Sequence, residues 1–280
     1  MNQPEVIYLC VKRVDDDELG FRVHTGPTVD ETLHSIQTLR RFHPDIPVYI
    51  YTDTPSLWKL GIWKGLDPLY FMPIGVERGQ PFMYPHENFW EHSKWQIPDL
   101  RILVAKLDTM LVHPGAFLFL DSDTEVVAPL DEIFQSDRPV MHAREYPLQN
   151  SAYDRALHMI DWSKYGITPP QVAAMDMINS GVVWVPWKYR QHLYRVKRWL
   201  IQEAYTEVGG DGSNRLKEQL GLSVFLQALG EVRTCEHLIN HLWWRRSVSG
   251  KEWMLEDWRW YEQKVSIAKK PPAAGTIGAS

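Results

Sequence analysis

RILVAKLDTMLVHPGAFLFLDSDTEVVAPLDEIF, residues 101–134, runs from an amphipathic helix through a wholly apolar strand into a cluster of acids. Leu100, Leu103, Val104, Leu107 and Leu111 fall at i, i+3, i+4, i+7 and i+11, a single apolar stripe that predicts a helix. HisProGly at 113–115 ends it. AFLFL is apolar at every position, as a central parallel strand covered on both faces should be, and it emerges directly into Asp121-Ser122-Asp123-Thr124. In an open α/β sheet, ligands gather beyond the carboxyl ends of the strands. If the extended geometry continues past Leu120, Asp121 and Asp123 point to the same side and share one hard cation, Mg2+ or Mn2+, that keeps open positions for diphosphate oxygens. The competing reading has Asp121 capping the next turn and Asp123 in solvent. The apolar strand and stripe helix ahead of the triplet favour the cation.

Outward from this stretch the chain alternates. EVIYLCV near the start reads as a buried strand. A helix capped by Thr28 or Asp30 follows, carries Leu33, Ile36, Leu39 and Phe42 at helical spacing, and stops at HisPro, 43–44. IPVYIYTD is a second strand, so the opening forms a parallel pair with a right-handed crossover. LYFMPI at 69–74 is a third strand, and 75–98 is a long aromatic segment of the kind that carries function or disorder. Downstream, a strand from about Ile178 to Val185 opens on an AsnSerGly step. A helix bearing Tyr189, Leu193, Val196, Leu200 and Ala204 follows, then a GlyGlyAspGly loop. The helix KEQLGLSVFLQAL stops at Gly230, and VRTCEHLINHLWW is short and strand-like. The pattern is one α/β domain over 1–268 with a mostly parallel central sheet, and a loose tail at 269–280.

Composition narrows the function. Thirty basic against thirty-five acidic residues give a formal charge of -5, without the positive field that phosphate-backbone binding needs, so nucleic acid is excluded as a partner. No run approaches ~20 apolar residues, so no membrane span is expected. MNQPEVIYLC lacks the pattern of a secretory signal, and two cysteines, Cys10 and Cys235 in apolar surroundings, point to a cytoplasmic protein. Of thirteen tryptophans, five lie at 243, 244, 253, 258 and 260; most are expected in packing, with Trp243 and Trp244 the candidates for stacking on an acceptor sugar.

The segment from Leu100 through Phe134 resembles the GT-A type nucleotide-sugar-dependent glycosyltransferases with their Asp-x-Asp motif. NSGVVWVP at 179–186 and SIQTLRRFHPDIPVYIYTD resemble two further pieces of that family. The resemblance implies a GT-A-like α/β fold and a metal-dependent transferase. It would move a sugar from a nucleotide-diphosphate donor, UDP-sugar favoured, to the hydroxyl of a saccharide or other acceptor. It implies that Asp121 and Asp123 hold Mn2+ or Mg2+ against the donor diphosphate, with His241 as third ligand and His237 behind it. Tyr8, Asp53, Lys106, Ser122, Asn179, Ser180 and Gly181 would bind the donor: Asp53 at the nucleoside, Lys106 at the diphosphate or sugar, Ser122 near the ribose or sugar, and 179–181 lining the sugar pocket. Glu218, with Gln219 beside it, would be the general base if the reaction inverts the anomeric centre. If it retains, which the AsnSerGly segment slightly favours, the leaving diphosphate does that work.

Two rivals share features of the motif. A haloacid-dehalogenase-type phosphohydrolase also places Asp-x-Asp after an apolar strand and binds magnesium, but it wants Thr or Val where Glu125 stands. A sugar-1-phosphate nucleotidyltransferase needs a glycine-rich loop where this chain has VKRVDDDELG. A non-catalytic nucleotide- or carbohydrate-binding protein of the same fold is the remaining alternative.

Overall fold

The computed structural model describes residues 4–10, 26–52, 63–74, 97–149, 160–202 and 217–242. The chain divides into two compact units, Met1–His241 and Leu242–Ser280. The second lies outside the described residues except for Leu242, and so do Asp53, Trp243, Trp244, most of the 75–98 segment, the GlyGlyAspGly loop and the tail.

The strands are β1 (Glu5–Leu9), β2 (Val48–Thr52), β3 (Leu69–Pro73), β4 (Phe117–Leu120), β5 (Thr124–Val126), β6 (Val140–Met141), β7 (Arg144–Pro147), β8 (Asp176–Ile178), β9 (Val182–Trp184), β10 (Arg233–Thr234) and β11 (Ile239–His241). The α-helices are α1 (Gly26–Arg40), α2 (Ile97–Val112), α3 (Asp131–Phe134), α4 (Pro169–Ala173), α5 (Gln191–Gln202) and α6 (Lys217–Gln227). Seven strands form the central sheet in the order β10-β6-β9-β4-β1-β2-β3. Pairing is parallel from β4 through β1 and β2 to β3, whereas β9 runs antiparallel to both β4 and β6. The mostly parallel α/β sheet expected from the alternation is therefore present, with one reversed strand at its middle.

Period-two alternation puts the two faces of the sheet into two cores. Ile7, Phe117, Phe119 and Val183 pack with Val104, Leu107 and Met110 of α2 and with α5 and α6. Val6, Tyr8, Leu118, Leu120 and Val182 pack with Ile36 and Leu39 of α1 on the other face. All four residues of β4 are buried, as an all-apolar strand between two helical layers must be.

Three expected elements differ in detail. The segment at 178–185 divides: Ile178 ends β8, which pairs with β7, and β9 begins at Val182 after the AsnSerGly step. The described part of the last strand-like segment, 232–242, gives two short strands, β10 in the main sheet and β11 paired antiparallel with β5. The first helix starts at Gly26, ahead of both expected caps. Gly230 ends the α6 segment at a φ of 123°, a conformation that glycine alone adopts readily.

After α1 the chain is tied by Arg40, whose guanidinium donates to the carbonyls of Ile46 (2.6 Å), Pro68 (2.8 Å) and Leu66 (2.9 Å). His43 accepts the Leu130 N–H at Nε2 (2.8 Å), which requires a neutral ring with its proton on Nδ1. Burial pushes its pKa below the ordinary value, against the opposing pull of Asp131. As pH falls the unfolded chain takes up this proton first, so the stability the group contributes is present above about 6.5 and is lost below it. Urea-unfolding free energies should accordingly decline from pH 7.5 to 5.5, and His43→Gln, which keeps an acceptor, should show a shallower decline. An unchanged slope in the variant would refute the role.

Candidate active site

The end of β4 delivers the acidic triplet, and the backbone there does not stay extended. Thr124 N–H (3.3 Å) and Thr124 Oγ1 (2.8 Å) both donate to the Asp121 carbonyl, closing a turn. That turn, rather than strand alternation, brings the two carboxylates together. It is braced from behind by a buried relay in which the hydroxyls of Tyr8, Ser35 and Thr124 lie 2.9 Å apart in succession. Tyr8 is wholly buried, burial raises its pKa, and its link to the motif runs through Ser35 and Thr124. Ser122 donates to Glu31 Oε2 on α1 at 3.3 Å.

β11 supplies the third member. Its register with β5 sets His241 opposite Thr124, and the imidazole Nε2 lies 3.2 Å from Asp123 Oδ1 and 3.7 Å from Asp121 Oδ2. Ligand atoms of Asp121, Asp123 and His241 all fall within 4.8 Å of one another. Gly181 makes the room: an added Cβ there would sit 2.4 Å from Cε1 and 2.6 Å from both ring nitrogens of His241. His237 is not part of this group; it is exposed and pairs with Glu132 at 2.8 Å.

Lys106, on α2, reaches both carboxylate oxygens of Asp121. Its Nζ lies 3.2 Å from Asp121 Oδ1, 2.8 Å from Glu218 Oε1 and 2.9 Å from the Ser180 carbonyl, and 5.0 Å from the Phe119 ring centroid. Burial acts to lower its pKa, but Asp121 and Glu218 together outweigh that, and the ammonium titrates above its ordinary value. Glu218 is buried, and the same Oε1 also accepts from Ser180 Oγ at 2.7 Å, so that one oxygen holds both Lys106 and Ser180.

A second chain of bonds closes the ring. Gly181 N–H donates to Asn179 Oδ1 (2.9 Å), and Asp121 N–H to the Gly181 carbonyl (2.8 Å). Buried Asn179 and Gln219 grip the two oxygens of Glu145 at 2.9 Å each, leaving that carboxylate itself exposed. Glu145 was not legible in the sequence. It lies on a short edge strand with no motif around it, and only the pairing of β7 with β8 brings it to the AsnSerGly step.

The donor set suits a divalent ion. Two carboxylates and an imidazole converge, Asp121 is partly open to solvent while Asp123 is buried, and His241 Nε2 rather than Nδ1 faces the acids. Asp121, Asp123, Lys106, Ser180, Gly181, Glu218 and His241 thus form one constellation, and Ser122 and Asn179 adjoin it. Tyr8 is behind it, and Asp53 lies outside the described residues.

No protein-family model and no curated protein sequence matches the chain. Among solved structures, it is similar to the galactosyltransferase LgtC in complex with donor and acceptor sugar analogs, with a TM-score of 0.52 at 12% identity over 82% of this chain and 73% of that one. An active-site mutant of LgtC superposes with a TM-score of 0.50, again at 12% identity, over 82% and 72% of the two chains. Mouse xyloside xylosyltransferase 1 in its apo form matches more loosely, at 0.48, with 12% identity over 84% of this chain and 85% of that one. Among the described residues no helix is long and apolar enough to cross a membrane. The chain has the GT-A-like fold of the LgtC structures, with an Asp-x-Asp and histidine group at the carboxyl end of its central strand.

Proposed function

We propose that the protein is a metal-dependent glycosyltransferase that moves a sugar from a nucleotide-diphosphate donor to a hydroxyl acceptor, a saccharide being the favoured one. The observation that carries this reading is the convergence of Asp121, Asp123 and His241 beside the buried ammonium of Lys106, within a GT-A-like fold. Asp121, Asp123 and His241 would hold the cation, Mn2+ or Mg2+. When bound, it supplies positive charge against the donor diphosphate. Breaking the sugar–phosphate bond puts negative charge on the departing diphosphate, and Lys106 presents a fixed ammonium toward it, better matched to the transition state than to the ground state.

Glu218 keeps that ammonium in place. Its commitment to Lys106 and Ser180 favours a retaining reaction, in which the leaving diphosphate takes the acceptor proton, over Glu218 acting as the base. Asn179, Ser180 and Gly181 line the sugar side, and Ser122 the ribose side. The exposed, doubly anchored Glu145 offers a fixed acceptor for sugar hydroxyls. Buried free Cys10 and Cys235 fit a reducing cytoplasm.

The test is thermal-shift binding of UDP, GDP and CMP, each with and without Mn2+. One nucleotide diphosphate, UDP first, should raise the melting temperature by roughly 5–10 °C at a hundredfold excess over Kd, and only with the metal. No response to any nucleotide would overturn the glycosyltransferase reading and leave a metal-dependent phosphohydrolase or a non-catalytic binding protein.

A further inference from the structure

Glu125 stands two residues beyond Asp123, and its side chain is wholly buried. Withdrawing a carboxylate from water costs several kcal/mol unless it is well partnered, and an apolar residue would suit this position in β5 better. The partners it has come from two different elements. Oε2 accepts from Asn240 Nδ2 of β11 at 3.2 Å. Oε1 lies 3.7 Å from His34 Nε2 of α1 and has no hydrogen-bond partner among the described residues. Asn240 is directly opposite Glu125 in the β5–β11 register, and the next residue is His241.

The His241 ring has little of its own to aim it. Its Nδ1 is buried without a hydrogen-bond partner among the described residues, so the second ring nitrogen lacks the anchoring acceptor that metal-bound histidines ordinarily have. The ring is confined by Gly181 on one side and by the edge-on ring of His142, 5.5 Å away, on another. Its direction is then set by where the β11 backbone sits. His142 Nε2 fixes that backbone at the Ile239 carbonyl (2.8 Å), and Glu125 holds the side-chain amide of Asn240 beside it (3.2 Å).

We infer that Glu125 is a positioning residue of the cation site: its buried carboxylate clamps β11 through Asn240 and faces α1 at His34, so that His241 is held toward Asp121 and Asp123. The inference rests on the metal-site reading above. It concerns geometry rather than charge, and that makes it separable. Gln at 125 keeps the acceptor for Asn240 and offers an N–H toward His34; Leu keeps the volume and loses both.

The experiment is titration of the full chain with Mn2+ alone, followed by electron paramagnetic resonance of the free ion, alongside metal-free melting temperatures. Glu125→Leu should weaken Mn2+ binding about tenfold, and Glu125→Gln should stay within about twofold of the parent. Asn240→Leu, which removes the clamped amide and leaves the β5–β11 backbone pairing, should weaken it like Glu125→Leu and decides the matter if Glu125→Leu does not fold. If the parent binds no Mn2+, the metal-site reading falls and this inference with it. If the parent binds and Asn240→Leu binds equally well, the clamp alone is wrong. A loss in Glu125→Gln as large as in Glu125→Leu would assign the effect to charge and overturn the positioning role.

Discussion

Asp123→Asn is expected to abolish the metal-dependent thermal shift with nucleotide and to lower sugar transfer on the order of 1,000-fold, about 4 kcal/mol of transition-state stabilisation. The fold should hardly notice. Asp123 sits beyond the end of β4, outside both hydrophobic cores, and its contact to His241 Nε2 at 3.2 Å is one an amide oxygen can also make. Asn has the volume of Asp, so the turn closed by Thr124 on the Asp121 carbonyl stays intact. What disappears is one of the two negative charges that make the group attractive to a divalent ion. Metal-free melting should remain within a few degrees of the parent, because like-charge repulsion between neighbouring carboxylates is relieved while a hydrogen-bonding side chain remains. Purified protein with Mn2+ and the donor identified by thermal shift gives both readings. A variant that keeps its metal-dependent nucleotide shift would remove Asp123 from the cation site.

The elements that could be read ahead of the structure were those whose signal is local. The stripe Leu103, Val104, Leu107, Leu111 marked α2, and the four apolar residues of β4 marked a strand buried on both faces; the structure buries all four. The Asp-x-Asp cluster followed from that strand end. The way the two acids meet did not, because the turn depends on the Thr124 hydroxyl and its buried relay to Ser35 and Tyr8, a contact between residues 89 positions apart. Reversal of β9 was likewise hidden: an apolar strand beside β4 reads the same whichever way it runs. Lys106 was placed on the right helix, but its commitment to Glu218 is a property of α2 and α6 packed on one face of the sheet. Glu145 and Glu125 were not singled out as site residues, since a lone acid in a short strand looks solvated until its neighbours are known.

Lys106→Met should be the most damaging single change to stability near the site, at about 3–5 kcal/mol, because removing one partner of a buried ion pair leaves the other charge uncompensated. Lys106 is 6% exposed, and its ammonium lies within 3.3 Å of oxygens from Asp121, Glu218 and Ser180. Without it, buried Glu218 would keep only the Ser180 hydroxyl among the described residues. Arg would not substitute, since its planar fork does not fit a pocket shaped around a point charge and roofed by Phe119. Because Asp121 and Glu218 raise the folded-state pKa of Lys106, the stability its protonation provides is present at pH 7 and is lost as pH rises above about 10. Urea unfolding at pH 7 measures the loss. The double variant Lys106→Met with Glu218→Gln separates the causes: removing the stranded charge should restore about 2 kcal/mol of stability. Transfer should remain depressed at least 100-fold in both, because no ammonium then faces the departing diphosphate. Recovery of activity along with stability would show that Lys106 serves the fold alone, and the positive charge at this site would then rest entirely on what Asp121, Asp123 and His241 hold.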